Sequence, residues 1–171
     1  MSINNSLVIA NARCWTYGDG INTDFFSPSR YLNLPNEEAV KYCLVDLDPN
    51  FAAEVQSGDA FIAGEDLGIG SSRESAPMFL RLLGIKAVIA KSFGRIFYRN
   101  CLNLGVPALV CPDAGRIGRH DRVTIRPVEG EVVLEASGER LACEPIPPHL
   151  VGMISDGGLI PHLKKRFASN G

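Results

Sequence analysis

Between Gly64 and Glu74 the chain reads Gly-Glu-Asp-Leu-Gly-Ile-Gly-Ser-Ser-Arg-Glu, which places two hydroxyls and a guanidinium directly after a glycine-rich turn. Gly68 and Gly70 permit backbone conformations closed to other residues and let a ligand approach the main chain. Free amides at the start of the helix that should follow favour anions. Arg73 adds a planar, permanently charged fork that matches a carboxylate. A carboxylate ligand beside a serine hydroxyl is therefore the chemistry this segment suits. A second reading stands beside it: Ser71-x-x-Glu74 fits the capping box, and on pattern alone the cap is favoured. Nucleotide binding is set aside. Gly68-x-Gly70 lacks the third glycine of the dinucleotide fingerprint, and no Gly-Lys-Ser/Thr follows.

The elements that must position this segment can be read around it. Ala60 to Ala63 is an apolar run of strand length, and a helix is expected from Arg73 to Leu83, stopped by Gly84. Pro77 falls in its first turn, where a missing N–H costs little. Ile85 to Ala90 reads as a strand. Ser92 is expected to cap a helix through Leu104, ended by Gly105, and Val106 to Cys111 reads as a strand. This strand–helix alternation predicts parallel pairing with crossover helices. Upstream, Leu7 to Trp15 reads as an opening strand and Gly18 to Asp24 as a turn-rich loop. Short helices are expected over Glu37 to Tyr42, capped by Asn36, and over Phe51 to Gln56. Downstream, Arg122 to Arg126 and Glu131 to Glu135 alternate apolar with polar, as an antiparallel hairpin does. Helices over His149 to Ile154 and on to about Phe167 close the chain. The architecture expected is one α/β domain, residues 1–171, with a mixed sheet and antiparallel additions.

Composition bounds the function. The 171 residues are 46% hydrophobic and 21% charged, with 17 basic against 19 acidic residues. A net charge of −2 without a clustered basic excess argues against nucleic-acid and membrane-surface partners. No stretch approaches the ~20 apolar residues of a membrane span. The N-terminus lacks a signal-peptide pattern, so a cytoplasmic location is expected. Cys14, Cys43, Cys101, Cys111 and Cys143 show no C-x-x-C and no zinc-ribbon spacing. They read as reduced, partly buried thiols, and this chain alone is expected to hold no metal and no iron–sulfur cluster.

The run from Gly64 to Pro77 closely resembles the small subunit of 3-isopropylmalate dehydratase, the counterpart of the swivelling last domain of aconitase. So do Gly84 to Ala90, Ser92 to Asn100 and Gly105-Val106-Pro107. Gly18 to Asp24, Pro28-Ser29-Arg30-Tyr31-Leu32 and Gly157 to Ile160 extend the resemblance over nearly the whole chain. It implies a swivelling β/β/α domain with a mixed sheet. It also implies half of a hydro-lyase of leucine biosynthesis, completed by a large partner subunit that carries a [4Fe–4S] cluster on its own cysteines. Carried across, Ser71 is the base and Arg73 binds a substrate carboxylate with help from Ser72. Gly70 brings the main chain close, and Asp24 orients the serine or relays a proton. Arg30 is a second carboxylate contact. Leu32 and Leu34 lie where the resemblance places a substrate-selecting loop. They either meet an apolar substituent or only pack that loop.

Two positions depart from the common family pattern: Ile69 stands where Cys is frequent, and Ser75 where His is frequent. Neither is the proposed base, so the departures bear on the substrate more than on the reaction. A dimethylmalate or homoaconitate-type substrate stays open, as does a non-catalytic carboxylate-binding module on the same scaffold. His120, His149 and His162 are scattered and suggest surface or capping roles. Lys91 and Arg95 flank a helix start, either lining the pocket or on a solvated face.

Overall fold

A computed structural model of the chain describes residues 7–70 and 73–169. Seven strands form one mixed sheet in the order β4-β3-β2-β1-β5-β6-β7. They are β1 (Ile9–Thr16), β2 (Ala60–Ala63), β3 (Ala87–Ala90), β4 (Ala108–Val110), β5 (Arg122–Arg126), β6 (Glu131–Leu134) and β7 (Arg140–Ala142). The first four run parallel, with Phe61 opposite Val88 and Ile89 opposite Leu109. β5 joins β1 antiparallel and continues as a meander through β6 to β7. Beyond β7 the Glu144 amide donates to the Val110 carbonyl at 2.8 Å, so the last strand curls back towards β4 and the sheet becomes a half-barrel.

Every residue of β2 and β3 is buried, which is why these strands read as continuous apolar runs rather than alternating ones. Successive side chains serve opposite faces. Phe61, Ala63, Val88 and Ala90 join Phe26, Phe51, Phe79 and Phe97 in the core beneath the helices. Ala60, Ile62, Ala87 and Ile89 join Leu109, Val123, Ile125 and Val132 inside the barrel. The two long crossovers are α4 (Ser75–Leu82) and α5 (Arg95–Asn103), and the chain closes with α6 (Pro148–Ser155) and α7 (Leu159–Ser169). No helix among the described residues is long and apolar enough to cross a membrane.

Two local expectations fail for one reason: a tertiary partner takes the group that would have capped a helix. Ser92 does not cap α5. Its hydroxyl accepts from the Asp66 amide at 2.7 Å and donates to Glu65 at 2.8 Å, while Gly94 precedes the helix. Asn36 is the first residue of α2 (Asn36–Ala39) rather than its cap, and its amide donates to the Met78 sulfur. The expected start of the next helix also shifts: α4 begins at Ser75, and Glu74 stands at its cap position without a side-chain bond, while Ser71, the other half of the capping box, lies outside the described residues. The upstream loop also contains a short helix, α1 (Thr23–Phe26), the helix expected from Phe51 is α3 (Phe51–Glu54), and β7 is a strand that the alternation pattern does not flag.

β1 and β2 are pinned by a buried carboxylate. Asp59 accepts from Arg13 at 2.9 Å, from Trp15 Nε1 at 2.9 Å and from the Gln56 amide at 2.8 Å. Arg13 and Arg119 lie over the Trp15 ring, each 5.1 Å from its centroid. Burial would raise the Asp59 pKa, but the hydrogen bonds and the Arg13 charge outweigh it, and the carboxyl is lowered. A folded pKa below the unfolded value of ~3.9 gives stability that is present above that value and lost as pH falls through the folded one. Asp59→Ala is expected to cost about 3 kcal/mol, because it leaves the Arg13 charge without its carboxylate, only the Glu54 carbonyl remaining, and the Trp15 indole N–H without its acceptor. It should also flatten the acid limb of a Tm-against-pH curve. An unchanged acid limb would remove Asp59 from this role.

Candidate carboxylate site

The site is built where three loops pair beyond the parallel strands. Leu67 donates to the Ser92 carbonyl at 3.0 Å, and Gly94 donates back to Leu67 at 2.8 Å. On the other side Gly68 donates to Ile21 at 2.7 Å and Thr23 donates to Ile69 at 3.1 Å. The turn after β2 is thus held between the segment that leads into α1 and the segment that leads into α5.

This layer needs glycine at two facing positions. Gly68 has φ +80°, and a Cβ there would lie 2.1 Å from Cγ of Phe97. A Cβ on Gly94 would lie 2.8 Å from the Gly68 carbonyl oxygen. Phe97 cannot give way easily, since it is buried and stacked on Phe26 and Phe93. Gly68→Ala is expected to lower stability by about 2–3 kcal/mol through overpacking and backbone strain, measured by denaturant unfolding. A loss below ~0.5 kcal/mol would show that the turn can shift freely.

Asn22 starts α1, its side-chain oxygen accepting from the Asp24 and Phe25 amides at 3.0 and 3.3 Å. That turn presents Asp24 to Arg73. The Arg73 Nη1 donates to Asp24 Oδ1 at 3.0 Å and to the Ser27 carbonyl at 2.9 Å. The Ser29 amide donates to the same Asp24 oxygen at 3.1 Å. Among the described residues nothing engages Nη2 or Nε of Arg73, or the second Asp24 oxygen. One edge of the guanidinium is therefore fixed, and the other has no partner among the described residues. Asn22, Thr23, Asp24, Gly70 and Arg73 line a cavity of about 280 Å³. Ser75 donates to the Ser27 hydroxyl at 2.9 Å, so the start of α4 is tied to the same segment.

Asp24, Gly70 and Arg73 thus come together. Arg30 does not join them: it forms a two-point pair with Asp46 at 2.8 and 2.6 Å and lies over the Tyr31 ring, which stacks on Tyr42. The Arg30 hydrogen bonds hold Asp46 below the usual carboxylate range. Leu34 packs against the helix-side core, while Leu32 is 47% exposed. Ser71 and Ser72 lie outside the described residues. The Ser27 carbonyl is a partner no side-chain pattern could reveal.

The cysteines do not form a donor set. All five are buried as free thiols, and burial pushes Cys14 up to about 12. Among the described residues no three or more His, Cys, Asp or Glu side chains come together to hold a metal.

A family model, the aconitase C-terminal domain, matches residues 20–114, which include the α1 turn, the glycine turn, α4 and α5. The chain belongs to the aconitase C-terminal domain family. Within this family it is 41% identical over 156 residues to the 3-isopropylmalate dehydratase small subunit of Syntrophus aciditrophicus, covering 90% of this chain and 95% of that one. It is also 41% identical over 155 residues to 3-isopropylmalate dehydratase small subunit 2 of Archaeoglobus fulgidus, covering 90% and 93%. The crystal structure of 3-isopropylmalate dehydratase from Methanocaldococcus jannaschii superposes with a TM-score of 0.88 at 36% identity, over 96% of this chain and 98% of that one. The aconitase C-terminal fold here therefore extends beyond the matched segment, into the meander and the closing helices.

Proposed function

We propose that this chain, as one domain in the cytoplasm, is the small subunit of a hydro-lyase that interconverts 2-isopropylmalate and 3-isopropylmalate in leucine biosynthesis. It works with a large partner subunit. The observation that carries the reading is Arg73, locked at Nη1 by Asp24 and Ser27 beside a cavity, with Nη2 and Nε engaged by none of the described residues. Such an edge offers two parallel N–H bonds to a substrate carboxylate. Relatives named 3-isopropylmalate dehydratase small subunit supply the reaction.

In this reading Arg73, assisted by Ser72, holds the carboxylate and so fixes the neighbouring carbon. Ser71 takes the proton from that carbon. A serine oxygen accepts such a proton only where its developing negative charge is stabilised by a nearby cation and amides in a site closed to water. Arg73 is the cation, and Asp24 keeps it in place. The departing hydroxyl requires an acid, which the partner provides. Returning water to the neighbouring carbon completes the isomerisation. In this reading the iron–sulfur cluster of the complex is carried by the large subunit, and this chain's five buried thiols serve packing.

Leu32, exposed and apolar, is assigned to the substrate's alkyl group. Arg30 acts as a second carboxylate contact only if it leaves Asp46. Leu34 takes part as the packed base of the same loop. The test is reconstitution with the large subunit and a panel of 2-substituted malates, following the unsaturated intermediate by absorbance. Isopropylmalate should give the highest kcat/KM. A dimethylmalate or homoaconitate-type substrate turning over faster would replace the substrate assignment. Binding without turnover of any of them would leave a carboxylate-binding module.

A further inference from the structure

A second cavity, about 370 Å³, opens at the mouth of the half-barrel, where β1, β2 and β3 end. Its floor includes Ile62 and Ile117, both buried members of the barrel interior. Its rim carries two opposite charges that are not joined to each other. Lys91 is half-buried, its amide donates to the Gly64 carbonyl at 3.0 Å, its Nζ lies 3.6 Å from where a Gly115 Cβ would sit, and its ammonium has no hydrogen-bond or ion-pair partner among the described residues. Asp19 is oriented by the Glu65 amide, which donates to its Oδ1 at 2.7 Å, and its Oδ2 has no partner among the described residues.

An ammonium and a carboxylate oxygen that face one cavity without meeting, neither paired among the described residues, are complementary to a ligand carrying both charges. The apolar floor adds a place for a hydrocarbon chain, and the volume lies within the range of small-molecule sites. We propose that this cavity binds a free aliphatic α-amino acid. The ligand carboxylate meets Lys91, its ammonium meets Asp19, and its side chain rests on Ile62 and Ile117. Lysine suits this role as a compact point charge for one carboxylate. Gly115 leaves open the space beside the ammonium that any larger residue would fill. The site shares no lining residue with the Arg73 cavity, so it stands or falls apart from the proposed reaction.

The experiment is an NMR titration of the full chain, 15N-labelled, with leucine, glycine, isocaproate and isopentylamine, each up to about 10 mM. Leucine is expected to give saturable shifts at Gly64 and Gly115. Isocaproate lacks the ammonium, isopentylamine lacks the carboxylate and glycine lacks the side chain, and each should bind at least tenfold more weakly. Lys91→Met and, independently, Gly115→Val should each abolish the leucine shifts, while Arg73→Lys should leave them intact. No saturable shift with leucine would overturn the proposal. So would isocaproate binding as tightly as leucine, or leucine binding that survives both Lys91→Met and Gly115→Val.

Discussion

A Ser71→Ala chain reconstituted with its large subunit is expected to lose about a thousandfold in kcat, within the usual range for removing a general base, while KM moves little. The expectation rests on what stands on either side of the serine in sequence. Gly70 and Arg73 both line the same cavity, and Gly70 has φ +110°, a conformation that suits glycine. The competing role was a helix cap. That role loses its geometry, because α4 starts at Ser75 with Glu74 in the cap position. A cap would cost about 1 kcal/mol of stability and leave chemistry alone. The decisive comparison is therefore kcat against Tm in the same variant. A kcat within tenfold of the parent, with a lowered Tm, would return Ser71 to a structural role.

Arg73→Lys is expected to reduce kcat/KM about a hundredfold, shared between a higher KM and a lower kcat. The guanidinium serves two edges at once. Nη1 bridges Asp24 and the Ser27 carbonyl, and the opposite edge remains for a ligand. A lysine ammonium can satisfy Asp24, or reach a substrate, but it has no second fork with which to do both. Two charge-assisted hydrogen bonds, at roughly 1.5–3 kcal/mol each, exceed the loss predicted here, since the retained charge recovers part. Steady-state kinetics on the reconstituted complex measures it, with circular dichroism confirming the fold. An unchanged kcat/KM would mean that Arg73 only anchors Asp24.

The sequence made the parallel half of the sheet plain, since Ala60–Ala63 and Ala87–Ala90 are apolar on both faces and are separated by a glycine-stopped helix. It also located Asp24 and Arg73, which lie far apart in the chain yet meet at 3.0 Å. What it could not give were choices made by tertiary neighbours. Ser92 sits at a plausible cap position, but Glu65 and Asp66 claim its hydroxyl. Arg30 looks free for a ligand until the fold brings Asp46 alongside it. β7 is three residues long with two exposed, too little pattern to separate from a loop. The contact between Gly68 and Gly94 is likewise invisible in one dimension. Each glycine has a local turn explanation, and only the packed structure shows that they require each other.

The indole that Arg13 and Arg119 both approach is the chain's sole tryptophan. Its emission therefore monitors one place, the seam where the first two strands meet under Asp59. Unlabelled protein thus carries an intrinsic optical gauge of whether the scaffold is intact. A variant that goes silent in catalysis can be sorted, in the cuvette, into one whose chemistry has failed and one whose framework has come apart.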